Sequence, residues 1–200
     1  MAPIAIKYVV SFTSQDEKHP VSNVLKRDSQ LRWLSNPKEK NVQMDAVFQL
    51  EDFCCLSVVD VGTYWCGTLQ ILVGRSDWPQ GVTFKTLVPT TCMMLPADCR
   101  KGNNVVKERI FQSDDFCEDA AKGSWDRIQV SCRQPFRRDV QFGLSFLRIR
   151  SKSAENEKLM SSVPKNVQSI QKHFGLDDMT STPSSEVGLK SKLLKIAGEF

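Results

Sequence analysis

Hydrophobic and polar positions alternate through the first three quarters of the chain, a pattern that predicts a series of short β-strands. The segment MDAVFQL alternates most clearly, since one face of its predicted strand carries only apolar side chains, namely Met44, Ala46, Phe48 and Leu50. Other predicted strands are CLSVVDVG, TLQILVG, VTFKTLVPTT, KERIFQ, WDRIQVSC and FGLSFLRIRS. A strand about every ten residues is typical of an antiparallel sandwich or jelly roll.

The other elements of this part of the chain are shorter. MAPIAIKYVVSF predicts one strand, with Ile4, Ile6, Tyr8 and Val10 on a shared face. NVLKRDSQLRWLS predicts one or two helical turns, and PADCRKGNN, rich in turn formers, predicts a loop. SDDFCEDAAKG predicts a helix that Ser113 caps and Gly123 ends, and Pro89 predicts a bulge or an edge strand. The expected fold is therefore mostly β, with one or two short helices.

Composition changes after Arg150, where serine, lysine and glutamate become common and apolar residues become scattered. We therefore expect one β-sandwich domain over residues 1–151 and a mostly disordered tail over residues 152–200. Two stretches of the tail, VPKNVQSIQKHFGL and EVGLKSKLLKIAGEF, could form short amphipathic helices that fold against a partner.

Several functional classes find no support in the residues. No apolar run approaches the length of a membrane helix, and the N-terminal residues do not resemble a secretory signal. The two histidines lie near opposite ends of the chain, and no Gly-rich phosphate loop is present. The seven cysteines lack the paired spacing of a zinc site, so we expect them to be reduced core side chains. The chain is therefore predicted to be a binding module, with no enzymatic activity, cofactor, metal or small-molecule substrate.

Basic residues concentrate in connectors, although the net charge is only +4. The loops of a sandwich gather at its two ends, where these side chains could form one cationic patch for DNA phosphates. The predicted DNA-binding residues are Arg27, Arg100, Lys101, Arg133, Arg137 and Arg138. Four aromatic residues could supply stacking surface for an exposed base: Trp33, Trp78, Phe111 and Phe136.

Eight segments in order resemble the N-terminal domain family of the X-ray repair cross-complementing protein, the scaffold of DNA single-strand-break repair. These segments are YVVSFTSQDEKHPVSNVLK, VFQLE, SVVDVG, ILVG, RIF, WDRIQVSC, QPF and FGLSFLRIRS. The resemblance covers residues 1 to about 151. It implies a galactose-binding-like sandwich, binding to nicked or gapped DNA, contact with DNA polymerase beta, a nuclear location and no enzymatic activity.

Two departures from the family bear on these expectations. The family's polymerase-facing strand carries a phenylalanine and an acid where this chain has Thr68 and Gln70, which weakens the expected contact. Trp65 or Leu69 could replace the missing anchor, and Arg109, which matches a family arginine, could still meet an acidic partner. The disulfide that some members form has no counterpart, because Phe12 and Pro20 stand at its positions.

Three hypotheses follow. The first is a non-enzymatic nuclear module that binds nicked or gapped DNA during single-strand-break and base-excision repair. The second is a protein-interaction adaptor that keeps the fold but has lost DNA selectivity. The third is a carbohydrate or small-ligand binder, since related sandwiches bind sugars at their loop ends.

Overall fold

Two antiparallel sheets face each other in this computed structural model, which describes residues 2–26, 31–79 and 81–151. Sheet A has the strand order β1-β10-β5-β8, with the short β3 pairing to β10. Sheet B has the order β2-β4-β9-β6-β7. The prediction of an antiparallel β-sandwich is therefore confirmed.

The bounds of the strands are β1 Ala2–Ile4, β2 Ile6–Phe12, β3 Trp33–Leu34, β4 Gln43–Cys54, β5 Leu56–Tyr64, β6 Thr68–Gly74, β7 Lys85–Cys92, β8 Val106–Gln112, β9 Trp125–Arg133 and β10 Gly143–Ser151. The helices are α1 Pro96–Lys101 and α2 Glu118–Ala121, and two 3-10 helices span Val21–Leu25 and Ser113–Asp115. Strand β7 is an edge strand, in agreement with the position predicted from Pro89.

The core lies between the inner faces of the two sheets. The alternating side chains of β4 predicted to share a face are all at most 1% exposed: Met44, Ala46, Phe48 and Leu50. Their neighbours on β9 continue that face, because Met44 lies opposite Cys132 and Phe48 opposite Ile128. Each of the larger buried side chains in this set, such as Met44 and Phe48, contributes roughly 1.5–3 kcal/mol of transfer free energy. The sandwich therefore rests on period-two burial, as the sequence pattern predicts.

The N-terminal segment differs from its prediction. The expected single strand is wrong, because the chain crosses from sheet A to sheet B at Ala5, whose carbonyl accepts a hydrogen bond from Glu51 N at 3.0 Å. The predicted shared face is also wrong: Tyr8 and Val10 are exposed while Val9 packs against the core. The pairing of β2 with β4 contains two register shifts, which change the face that each side chain occupies.

Residues 96–101 form α1 rather than the predicted loop. Pro96 occupies the first helical position, and Gly102 ends the helix in the left-handed conformation (φ 71°) while its N–H donates to the Asp98 carbonyl. Cys99 is the buried residue of this six-residue helix. A single buried side chain gives no hydrophobic periodicity from which the helix could have been predicted. Helix α1 becomes part of the candidate site.

Two other helical predictions are partly right. The 21–35 region contains the 3-10 helix Val21–Leu25, but Trp33 and Leu34 pair with β10 as β3. The predicted helix over 113–123 is interrupted, and its cap is Gln112 rather than Ser113. The expectation for residues 152–200 falls outside the described residues.

Candidate nucleic-acid interface

One end of the sandwich, which we call the Trp65 end, is formed by residues 65–67, helix α1 and residues 134–142. Trp65 follows β5 in the left-handed conformation (φ 50°), and its N–H donates to the Val105 carbonyl at 2.7 Å. The N–H of Gly67 donates to the Arg133 carbonyl at 2.8 Å. The first bond joins the β5–β6 connector to the segment between α1 and β8, and the second joins it to the end of β9. The β9–β10 connector that follows carries two of the predicted DNA-binding residues, Arg137 and Arg138.

Gln134 fixes this junction from inside. Its side chain is 1% exposed, and its Nε2 donates to the Trp65 carbonyl and to Cys99 Sγ, the latter at 3.7 Å. Its Oε1 accepts a hydrogen bond from Phe136 N at 3.2 Å. A buried amide that serves three segments at once holds the β5–β6 connector, α1 and the β9–β10 connector in one arrangement.

Arg137 lies over the Trp65 ring, with its guanidinium carbon 5.0 Å from the ring centroid, a cation–π distance. Asp139 accepts from Arg137 Nε at 2.9 Å and Nη2 at 3.1 Å. These hydrogen bonds hold the pKa of the Asp139 carboxyl below its usual value. Arg137 is therefore oriented, and part of its charge is balanced, before any ligand arrives.

The C-terminus of α1 approaches the same point. A Cβ on Gly102 would lie 3.5 Å from the Trp65 ring and 4.0 Å from Arg137 Nη1. The two preceding residues, Arg100 and Lys101, are exposed, and neither makes an ion pair with a carboxylate of the described residues. Two basic segments distant in sequence therefore meet at Trp65.

The other predicted DNA-binding residues have different surroundings. Arg133 ends β9 on the outer face of sheet B, where it lies opposite Thr68. Arg138 is exposed and lines a shallow pocket formed by residues of segments 35–41 and 137–142. Glu39 also lines this pocket and accepts a hydrogen bond from Ser14 Oγ at 2.7 Å. Arg27 lies outside the described residues, so five of the six predicted residues belong to or border the Trp65 end.

The predicted partner-binding residues are divided between the two sheets. Thr68 and Gln70 are half-buried on the outer face of β6, whereas Leu69 is 0% exposed in the core and cannot anchor a partner there. Arg109 is exposed on β8, the edge strand of sheet A, 5.2 Å from the Phe111 ring centroid. Trp65 is half-buried beneath Arg137. The structure does not unite these residues in one patch.

The predicted stacking aromatics also separate. Trp33 and Phe111 are in the core, at 0% and 1% exposure, and are not accessible to a base. Trp78 packs edge-on against Trp125, with ring centroids 6.0 Å apart. Phe136 is 39% exposed and lies at the Trp65 end, where it borders Gly67.

Sequence reasoning missed Tyr64. The guanidinium carbon of Arg32 lies 4.2 Å from the centroid of the Tyr64 ring. Tyr64 directly precedes Trp65 in the chain. The two partners are far apart in sequence, so no local signal points to their contact. Tyr64 and Arg32 extend the aromatic and cationic surface beyond the predicted residues.

The cysteines are all free within the described residues, as predicted, but only Cys66, Cys99 and Cys132 are buried. Burial raises the pKa of the partly buried Cys54 thiol to about 11. In residues 2–26, 31–79 and 81–151, no group of three or more His, Cys, Asp or Glu side chains could hold a metal ion. None of the helices in that part of the chain is long and apolar enough to cross a membrane.

Comparison with known proteins connects this geometry to a family. The family model described as XRCC1 N terminal domain matches residues 1–149. The human DNA repair protein XRCC1 is 35% identical over 159 residues, which cover 78% of this chain. The same match covers 25% of the human protein, so this chain corresponds to about a quarter of that relative's length.

Solved structures give the same result. Reduced XRCC1 bound to the DNA polymerase beta catalytic domain matches with a TM-score of 0.72 and 34% identity, over 76% of this chain and all of that chain. A chitosan-binding module from a Paenibacillus chitosanase/glucanase matches with a TM-score of 0.52 and 13% identity, over 74% of this chain and 96% of the module. At that identity the likeness shows the galactose-binding-like fold alone.

Proposed function

Because the chain belongs to the XRCC1 N-terminal domain family, we propose that it is a non-enzymatic nuclear module that binds nicked or gapped DNA in single-strand-break and base-excision repair. The observation that carries the proposal is the meeting of α1 and the β9–β10 connector at Trp65. Arg100, Lys101 and Arg138 are exposed cations beside an oriented Arg137.

The chemistry of this end suits a nucleic-acid backbone. Lysine and arginine side chains that neutralise phosphates release counterions, which supplies affinity without reading sequence. An interrupted duplex also bends more cheaply than an intact one, so the cations of the Trp65 end could contact phosphates on both sides of a break. The exposed Phe136 offers a ring to a base that the break leaves unpaired.

A titration of intact, nicked and gapped duplexes across a salt series tests this proposal. We expect the gapped probe to bind most tightly, and the logarithm of its affinity to fall with the logarithm of salt by about 0.9 for each phosphate contacted. Equal weak affinity for all three duplexes, or an affinity insensitive to salt, would reject the proposal.

Matched variants locate the surface. Replacing Arg100 and Lys101 together with alanine should lower gapped-DNA affinity roughly tenfold and reduce the salt slope by about two. Lys122→Ala serves as the control, because this cation is exposed and pairs with Glu118 at 2.5 Å on α2. An equal loss with Lys122→Ala would show a general charge effect rather than a site.

The second candidate function is a protein-interaction adaptor that contacts DNA polymerase beta and has lost DNA selectivity. It is favoured by the likeness to XRCC1 in complex with the polymerase catalytic domain. Thr68 and Gln70 present polar side chains on β6, and neither provides the buried apolar anchor that interface hot spots usually need. A weak polymerase contact is the consequence we propose.

Pull-down with the polymerase separates the two functions. An adaptor would retain polymerase after Arg137→Glu and Arg138→Glu and would show no DNA affinity even as the native chain. A DNA-binding module would bind gapped DNA natively and lose that affinity in the same variant.

A further inference from the structure

We propose that Tyr64 with Arg32 and Trp65 with Arg137 form a two-step stacking platform for the unpaired bases of a gap. The ligand is thus the single-stranded segment of interrupted DNA, read by its bases as well as its phosphates. This inference rests on the proposed function and specifies which part of the DNA the Trp65 end contacts.

The first step of the platform is the Arg32–Tyr64 pair. The guanidinium carbon of Arg32 is 4.2 Å from the Tyr64 ring centroid, closer than the 5.0 Å of Arg137 over Trp65. At 4.2 Å the cation rests on the ring, which favours a guanidinium plane that lies flat against it. A guanidinium that lies flat on a ring has a second face on which a base can stack.

Arg32 is held in place at its own carbonyl and at the residue that follows it. Its carbonyl accepts a hydrogen bond from Asn23 Nδ2 at 2.9 Å, and the next residue, Trp33, is fully buried with its indole N–H bonded to the Ser14 carbonyl at 3.0 Å. Anchors on the backbone and on the adjacent side chain limit the freedom of Arg32. Little further conformational entropy of Arg32 is therefore lost when a base stacks on it.

The charge of Arg32 is not neutralised within the described residues. Its Nε is buried without a hydrogen-bond partner, and no carboxylate there comes within ion-pair distance. A buried unpaired donor of this kind lowers stability. The positive charge of Arg32 is separate from that cost, and a phosphate attached to a base in a gap would complement it.

The rings of the two stacks belong to consecutive residues, Tyr64 and Trp65. Cα atoms joined by a trans peptide are about 3.8 Å apart. Tyr64 still pairs in β5, opposite Gly143, while Trp65 has turned into the left-handed conformation that ends the strand. This turn breaks the strand's alternation and directs the second ring toward α1, where Gly102 borders it. A strand of DNA could therefore pass from one cation to the other.

Unpaired bases fit this platform better than intact duplex does. Stacked bases in a duplex have no free face to offer, whereas bases in a gap expose their faces and their phosphates together. An acidic peptide would neutralise the two cations but would not stack on their guanidinium planes. The proposal therefore predicts that removing the bases, with the phosphates kept, weakens binding.

Two gapped duplexes test this, one with thymidines in the gap and one with abasic residues of the same number. We expect the native chain to prefer the thymidine gap roughly tenfold. Arg32→Lys keeps the charge and removes the plane, and Tyr64→Leu keeps an apolar side chain and removes the ring. Each should bring the two affinities to within about twofold by lowering only that for the thymidine gap.

Arg148→Lys is the matched control. Arg148 also stacks on an aromatic residue of sheet A, 4.3 Å from the Phe146 centroid, but it is paired with Asp60 at 3.7 Å. The control should keep the full preference, and thermal unfolding should show that all three variants remain folded.

The outcomes separate this inference from the proposed function. Equal affinity for gapped and intact duplex in the native chain would reject the proposed function itself. A preference for gapped over intact duplex without any preference for thymidine over abasic gaps would overturn the platform alone. An unchanged preference in Arg32→Lys and Tyr64→Leu, or an equal loss for both gaps, would also overturn it.

Discussion

The sandwich carries an arginine over a tryptophan at each of two sites, and the two sites differ in how their cations are used. Trp65 lies at the end described above. Around Trp125, which opens β9 and defines what we call the Trp125 end, Arg75 lies 5.5 Å and Lys85 5.7 Å from the ring centroid. Trp125 is 2% exposed, whereas Trp65 is half-buried.

At the Trp125 end the indole N–H and the guanidinium Nε of Arg75 both have partners within the protein. The indole N–H of Trp125 donates to the Ala120 carbonyl at 2.8 Å, and Arg75 Nε donates to the Ser124 carbonyl at 3.2 Å. Trp78 packs against Trp125 and also, at 6.4 Å, against Phe84. Here the cation–π contacts complete an aromatic core.

At the Trp65 end the cations exceed the groups that balance them. Asp139 pairs with Arg137, but Arg100, Lys101 and Arg138 make no ion pair with the described carboxylates. The same local motif can therefore serve stability or recognition, and what distinguishes the two sites is the burial of the tryptophan ring.

The largest expected effect follows from burial. Trp125→Ala should lower the free energy of unfolding by about 3–5 kcal/mol, because it leaves a cavity against Trp78 and removes the indole hydrogen bond to the Ala120 carbonyl. Trp65→Ala should cost less than about 2 kcal/mol but should weaken gapped-DNA binding. Urea unfolding and DNA titration of both variants check this. Equal destabilisation by the two would remove the distinction between the ends.

Replacing cations should change DNA affinity at the Trp65 end and the free energy of unfolding at the Trp125 end. Arg137→Glu with Arg138→Glu should lower gapped-DNA affinity about a hundredfold at low salt, because each replacement puts a negative charge where a positive one faced phosphate. Arg138 is exposed, and Arg137 makes one surface ion pair, with Asp139, so we expect thermal stability to fall by no more than about 1 kcal/mol. Arg75→Ala should lower the free energy of unfolding by about 1–2 kcal/mol and leave DNA affinity unchanged. Loss of DNA binding in Arg75→Ala would place the interface elsewhere.

The sequence predicted the strands best where one face is buried along their whole length. Strand β4 shows this, since its alternation from Met44 to Leu50 matches the observed burial. Prediction failed where the chain changes sheets at Ala5, because no hydrophobic period marks a crossing. Helix α1 had a usable signal in Pro96 and Gly102, but its single buried side chain gave no period.

The candidate site was harder to predict than the fold. The sequence could indicate that Arg100 and Arg137 lie in connectors, but the shared position beside Trp65 depends on the buried amide of Gln134. The contact of Arg32 with Tyr64 depends equally on tertiary packing. Leu69 shows the converse: the sequence analysis allowed it as a replacement anchor for the polymerase contact, whereas the alternation of β6 places it in the core at 0% exposure.

The outer face of β6 should respond to the residues that the family carries there. Thr68→Phe with Gln70→Glu should raise affinity for DNA polymerase beta about tenfold, because an aromatic ring beside Arg133 would supply an anchor. Gln70→Glu alone should gain much less. Calorimetric titration with the polymerase measures both. No gain in the double variant would mean that the outer face of β6 does not contact the polymerase.

The smallest expected effect concerns acid stability at the Trp125 end. Burial tends to raise the pKa of Asp126, but hydrogen bonds from Ser76 and Gln49 outweigh it and hold the pKa below its usual value. A lowered pKa stabilises the fold above the unfolded value, about 4, and this contribution disappears as pH falls through the folded pKa. Because the group is partly exposed, screening limits the contribution to less than about 1 kcal/mol.

Asp126→Asn should therefore unfold at lower urea concentration than the native chain near pH 6, with the difference shrinking toward pH 2. Asp139 also has a lowered pKa, which its hydrogen bonds with Arg137 cause, but its side chain is 68% exposed. Asp139→Asn should leave the urea midpoint unchanged over the same pH range and alter only DNA binding, since it frees Arg137. A stability loss in Asp139→Asn matching that in Asp126→Asn would mean that the Trp65 end is also a structural element.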